Sequence, residues 1–173
     1  MRFASVFAVA AVLAGCALPA ARVQQYYITP AFDGAGAERL LLPGTNQIKG
    51  SALMRQQGGG VVTCAGRPVF LIPSTEYAKD RLRLLYDSAD DRRFTRRGNA
   101  DVEFIPNPPE YLSTVKTTLC DAQGFFAFDK VANGEFFVQT SVSWVIAGRE
   151  QGGYLLHRVR VQNSEIASLV LAQ

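Results

Sequence analysis

The chain has 173 residues, 48% of them hydrophobic and 19% charged, which suits one ordinary folded domain and excludes a disordered polyampholyte. Its formal net charge is +3, and +2 without Arg2 (17 basic against 15 acidic residues), far from the dense basic stripe of a nucleic-acid binder. The 15 glycines and 8 prolines are scattered, so neither a repeat nor a low-complexity tract is present.

Met1 and Arg2 form a short positive start, and Phe3 to Leu13 an apolar run. That run is well below the ~20 residues a membrane-spanning helix needs, so it reads as a secretory signal over residues 1–15. Leu13-Ala14-Gly15-Cys16 resembles the lipobox of bacterial lipoproteins. The small residues suit a peptidase cleft, and the thiol supplies the nucleophile for a diacylglyceryl group. The resemblance implies cleavage before Cys16, lipidation of that residue, and a lasting membrane anchor through its acyl chains. Ala17 stands where lipoproteins kept in the inner membrane commonly carry Asp, which implies the periplasmic face of the outer membrane.

Residues 16–47 read as a tether and lead-in, broken by Pro19, Pro30, Gly34, Gly36, Pro43 and Gly44. From 48 to 173 the pattern is that of a single β domain. Short strands are expected at Ile48–Met54, Val61–Ala65 and Val69–Ile72, the first two separated by a glycine-rich turn over Gln56–Gly60. One helix is expected over Thr75–Ala89, begun by Ser74 or Thr75 with Glu76, and Tyr77, Arg81, Leu84, Leu85 and Ser88 fall at helical spacing. It opens an insertion over 74–110 whose polar, proline-containing remainder reads as a surface excursion.

Thr114–Cys120 reads as a strand, Asp121 to Gly124 as a turn, and Phe125 to Phe128 as the strand that follows. After a turn at Ala132-Asn133-Gly134, a long strand is expected from Phe136 to Val145. There Phe136, Val138, Val142 and Trp144 alternate with Phe137, Gln139, Ser141 and Ser143. Gly152-Gly153 is expected to turn the chain into Tyr154–Val161, and Ile166–Ala172 closes it. These elements make an all-β, antiparallel β-sandwich of about seven strands with one short helix inserted.

The motif Asp121-x-x-Gly124-x-Phe126-x-Phe128, followed by Val131-x-x-Gly134-x-Phe136-x-Val138, resembles the carboxypeptidase regulatory-like domain. Gly50 and Val69-x-Leu71-x-Pro73 are similar to that family's first two strands. The resemblance covers about half of the mature chain and implies a transthyretin-like sandwich that is itself non-catalytic. Two features depart from the family pattern: the 74–110 insertion and the pair Cys64 and Cys120.

Candidate sites are few. The single histidine, His157, has no H-E-x-x-H helix or G-x-S-x-G elbow beside it, so neither a zinc peptidase nor a serine hydrolase motif is complete. No catalytic residue, metal site or cofactor is expected. Cys64 and Cys120 are 56 positions apart in a chain that reads as exported and whose third cysteine the lipobox resemblance assigns to lipid, so a disulfide is favoured over a metal or redox role. Arg92, Arg93, Arg96 and Arg97 form a basic knot after Asp90 and Asp91, either a solvated loop or a contact for lipid headgroups or an acidic partner. Phe125 and Phe137 point away from the face holding Phe126, Phe128 and Phe136, either as a patch for a sugar or protein or as the surface on which the Thr75–Ala89 helix packs. The expected function is a non-catalytic binding or structural module on a lipid anchor, with an envelope protein or a glycan as partner and no nucleic acid. The alternatives are a peptidoglycan- or carbohydrate-binding lipoprotein and a small cell-envelope hydrolase using His157.

Overall fold

The computed structural model describes residues 23–86, 92–95 and 102–173, with backbone alone at positions 92 and 93. The expected signal over 1–15, Cys16, Arg96 and Arg97 lie outside the described residues. Strands follow the period-two runs: β2 (Asn46–Arg55), β3 (Val61–Thr63), β4 (Pro68–Pro73), β7 (Lys116–Leu119), β8 (Phe125–Val131), β9 (Gly134–Ile146), β10 (Arg149–Val161) and β11 (Ile166–Ala172). Three shorter strands join them: β1 (Gln24–Tyr27), β5 (Arg92–Thr95) and β6 (Val102–Ile105). The helices are α1 (Gly34–Leu41), α2 (Glu76–Tyr86) and the four-residue α3 (Glu110–Ser113).

Two sheets face each other. One runs β5-β10-β9-β4-β7, and every pairing in it is antiparallel. The other centres on β2, with β11 along one side and β8 then β3 along the other. Between them lies a core built from the inward positions of each strand: Ile48, Ala52 and Met54 of β2, Val69 and Leu71 of β4, Phe126 and Phe128 of β8, and Phe136, Val138 and Val142 of β9. Alternation alone sends these residues inward, because successive strand side chains point to opposite faces. The all-β sandwich is therefore the fold.

A second apolar cluster covers the outside of the five-stranded sheet. Ile72, Phe137 and Leu156 project from β4, β9 and β10 into Tyr77, Ala78, Leu82 and Leu85 of α2, with Val102 and Phe104 of β6 closing one side. The helix starts as its residues predict: the Thr75 hydroxyl accepts from the Ala78 N–H at 3.2 Å, an N-cap.

Several details differ from the expected map. Eleven strands stand among the described residues rather than about seven, and two pairings, β1 with β6 and β2 with β11, are parallel. The supposed excursion after α2 contributes β5 to the edge of the five-stranded sheet and β6 to the cover over Phe137. The lead-in is more than a tether: it forms β1 and α1, Ala37 is buried, and Leu40 packs on the central core. The β9–β10 turn falls at Ala147-Gly148, not at Gly152-Gly153. Ile146 pairs with Arg149, and both intervening residues have positive φ (49° and 76°), the signature of a two-residue hairpin. Gly152 instead lies within β10 at φ +101°, where a Cβ would stand 2.1 Å from the Val142 carbonyl oxygen. Its glycine serves close backbone approach, which a sequence reading cannot tell from a turn.

At one end of the sandwich, buried Asn46 joins three segments. Its Nδ2 donates to the Val131 carbonyl and to Asn133 Oδ1, both at 3.0 Å, and its Oδ1 accepts from the Glu165 N–H at 2.9 Å. The start of β2, the β8–β9 turn and the β10–β11 turn are thus held by one amide.

Candidate functional site

The outer face of the four-stranded sheet is assembled by register. Ser51 of β2 lies between Phe125 of β8 and Val170 of β11. In the next outward row, Lys49 lies between Ala127 and Ser168. Cross-strand neighbours are about 4.8 Å apart, so Phe125 and Val170 flank Ser51 across roughly 10 Å. Phe125 is 57% exposed, Val170 55%, and Leu119 on the adjoining β7 edge 65%. Together with Asp121 and Thr118 they line an open groove of about 610 Å³. Asp121 is held in place by accepting from the Gln123 and Phe125 N–H groups, at 2.9 and 2.8 Å, so the turn that begins the hairpin also aims Phe125 outward.

Such a face has one aromatic ring, two aliphatic flanks, an ammonium and two hydroxyls in reach of one another. It can stack an apolar face of a ligand on Phe125 while Lys49, Ser51 and Ser168 bond to hydroxyls at its edge.

The other expected site residues are dispersed. Phe137 does not share a face with Phe125: the two lie on different sheets, because β8 pairs with β2 and β9 with β4 and β10. Phe137 is 4% exposed beneath α2, as the covering reading expects, whereas α2 does not cover Phe125, which stays exposed. Cys64 and Cys120 form a disulfide with a Cα–Cα distance of 5.8 Å. The bridge ties the end of β3 to the end of β7, one from each sheet. Arg92 and Arg93 belong to β5, paired with His157 and Leu156. His157 falls on the same side of β10 as Leu155, Val159 and Val161, which face the core. It is therefore on the other sheet from the Phe125 groove and directed between the layers. Among the described residues, no three His, Cys, Asp or Glu come together to hold a metal ion.

No protein-family model matches the chain, and no curated protein matches it. A solved structure does: a candidate carbohydrate-binding protein from Pseudomonas aeruginosa, at a TM-score of 0.66 and 21% identity, covering 83% of this chain and 99% of that one. The likeness is one of fold. It extends over nearly the whole of the other chain, so the architecture described above is shared as a unit.

Lys49, Ser51, Ser168 and Val170 are the groove residues that sequence reasoning missed. Each sits at an outward position of a strand it recognised, but the pairing of β2 with β8, which sets Lys49 and Ser51 beside Phe125, and the parallel pairing with β11, which adds Ser168 and Val170, leave no mark in local sequence.

Proposed function

We propose that this protein is a non-catalytic binding module of the cell envelope that holds a glycan on the Phe125 face. The observation that carries this reading is the exposure of Phe125 beside Ser51, Lys49 and Ser168: a large aromatic ring left open on a sheet whose opposite face is fully packed. A saccharide presents apolar C–H faces and hydroxyl edges, and this face offers a partner for each. The fold shared with a candidate carbohydrate-binding protein supports the same ligand class. The Asp121 to Phe128 motif, with its resemblance to carboxypeptidase regulatory-like domains, supports a module that binds without catalysing. The test is co-sedimentation of the purified protein with insoluble peptidoglycan. Retention is expected, and Phe125→Ala should weaken it by about tenfold, or about 1.4 kcal/mol. Equal retention of Phe125→Ala and wild type would remove Phe125 from the site, and no retention of either would reject peptidoglycan as the glycan.

The same reading places the module on a lipid anchor at Cys16, at the periplasmic face of the outer membrane. Its support is the signal-like start and the Leu13-Ala14-Gly15-Cys16 box. Radiolabelled palmitate should enter the wild-type protein, and Cys16→Ser should carry none and leave the membrane fraction. Equal labelling of the two would refute the anchor.

A further inference from the structure

A second site is carried by a different part of the molecule. Between α2 and the outside of the five-stranded sheet lies a cavity of about 290 Å³. Its walls are chiefly apolar, from Phe70 and Ile72 on β4, Leu82 and Leu85 on α2, and Val115, with Leu112 at the mouth. Into it comes one charge, Arg81 of α2, only 7% exposed. Among the described residues, no acidic side chain lines this cavity.

Arg81 is held by rings and hydrogen bonds, and no described acidic side chain pairs with it. Its guanidinium carbon stands 3.8 Å from the Phe104 ring centroid and 4.9 Å from that of Tyr111, so aromatic rings attend the planar group. One nitrogen, Nη1, donates to Asn107 Oδ1 at 2.8 Å and more weakly to the Tyr77 hydroxyl at 3.4 Å. The ion pairs among the described residues are Lys79 with Glu76 and Arg83 with Asp80, and neither involves Arg81. Asp80, its neighbour in sequence, is turned to Arg83 and the Thr29 N–H. Both of Arg81's bonds come from Nη1, and no described residue accepts from Nε or Nη2.

A cation so far from water is costly unless an anion meets it. The Nε/Nη2 edge is the fork that takes a carboxylate through two parallel hydrogen bonds. Tyr111 also lines the cavity. Burial pushes its phenol up to about 12, against the opposing pull of Arg81.

We propose that the cavity beneath α2 binds a small organic anion, a carboxylate on a hydrocarbon body, with the Arg81 edge on the carboxylate and the apolar walls around the chain. This site is separate from the Phe125 groove and does not depend on the glycan reading. The alternative is that Arg81 is only a stacked structural cation. The two are told apart by calorimetric titration of the full-length protein with hexanoate and with 1-hexanol, which share the chain and differ in the charge. Hexanoate should bind once per chain at millimolar concentration or below, and hexanol about tenfold more weakly. Leu112 is 66% exposed at the mouth, so Leu112→Trp should leave folding intact and weaken hexanoate by about tenfold. Arg81→Met should bind the two ligands alike. If Arg81→Met does not fold, the ligand pair and Leu112→Trp still decide. Equal affinity for hexanoate and hexanol, unchanged binding in Leu112→Trp, or no binding of hexanoate would each overturn the proposal.

Discussion

Replacing Cys64 and Cys120 together by alanine is expected to cost the fold about 4 kcal/mol. The bridge closes a sequence separation of 56 residues, and a crosslink of that span removes a large part of the unfolded chain's freedom. Its position adds to the effect. Cys64 follows β3 and Cys120 follows β7, so the covalent link joins the two sheets at the side where Phe125 and Leu119 form the groove. Backbone bonds flank it, from the Gly66 N–H to the Cys120 carbonyl at 3.1 Å and from the Cys120 N–H to the Arg67 carbonyl at 3.0 Å, and both sulfur-bearing residues are buried. Small domains have a net stability of about 5–15 kcal/mol, so the loss would be a large share of the total. Urea titration of the oxidised wild type against the double alanine variant measures it. A difference under about 1 kcal/mol would mean that the sheets' own packing already fixes this edge.

The second large effect is expected at Phe136. Phe136→Ala should destabilise by about 3–5 kcal/mol, because the ring is fully buried among the inward side chains of both sheets and the cavity left behind cannot collapse readily. Phe125→Ala, at the same residue type on the open face, should change stability by no more than about 0.5 kcal/mol while weakening glycan retention. The midpoint of denaturant unfolding should fall for Phe136→Ala without a change in slope. Similar losses for the two variants would contradict the assignment of Phe136 to the core and Phe125 to the surface. The contrast matters for function, since only a position with little structural duty can report binding without confusion.

The motif Asp121-x-x-Gly124-x-Phe126-x-Phe128 shows how far local pattern reaches. Its turn, its strand and the inward direction of Phe126 and Phe128 all follow from turn chemistry and period two, which act between residues close in sequence. The same rule correctly sent Phe125 and Phe137 away from that core. It could not say what each would meet, because that depends on which sheet the strand joins and on where α2 lies.

The amino-acid sequence by itself determined most of the period-two strands, the all-β sandwich, a start for α2 at Ser74 or Thr75, and the pairing of Cys64 with Cys120. Each of these rests on spacing along the chain or on simple arithmetic of residue types. The tertiary structure alone decided the parallel pairing of β11 with β2, the recruitment of β1, β5 and β6, the open groove at Phe125, the cover over Phe137, and the burial of Arg81 with no ion pair to a described carboxylate. These are contacts between residues distant in sequence, where no local preference favours one partner over another. Arg81 is the sharpest case: helical spacing sets it on the face of α2 with Tyr77 and Leu85, and only the rings of Phe104 and Tyr111, brought in from the far side of the insertion, bury it beside a cavity.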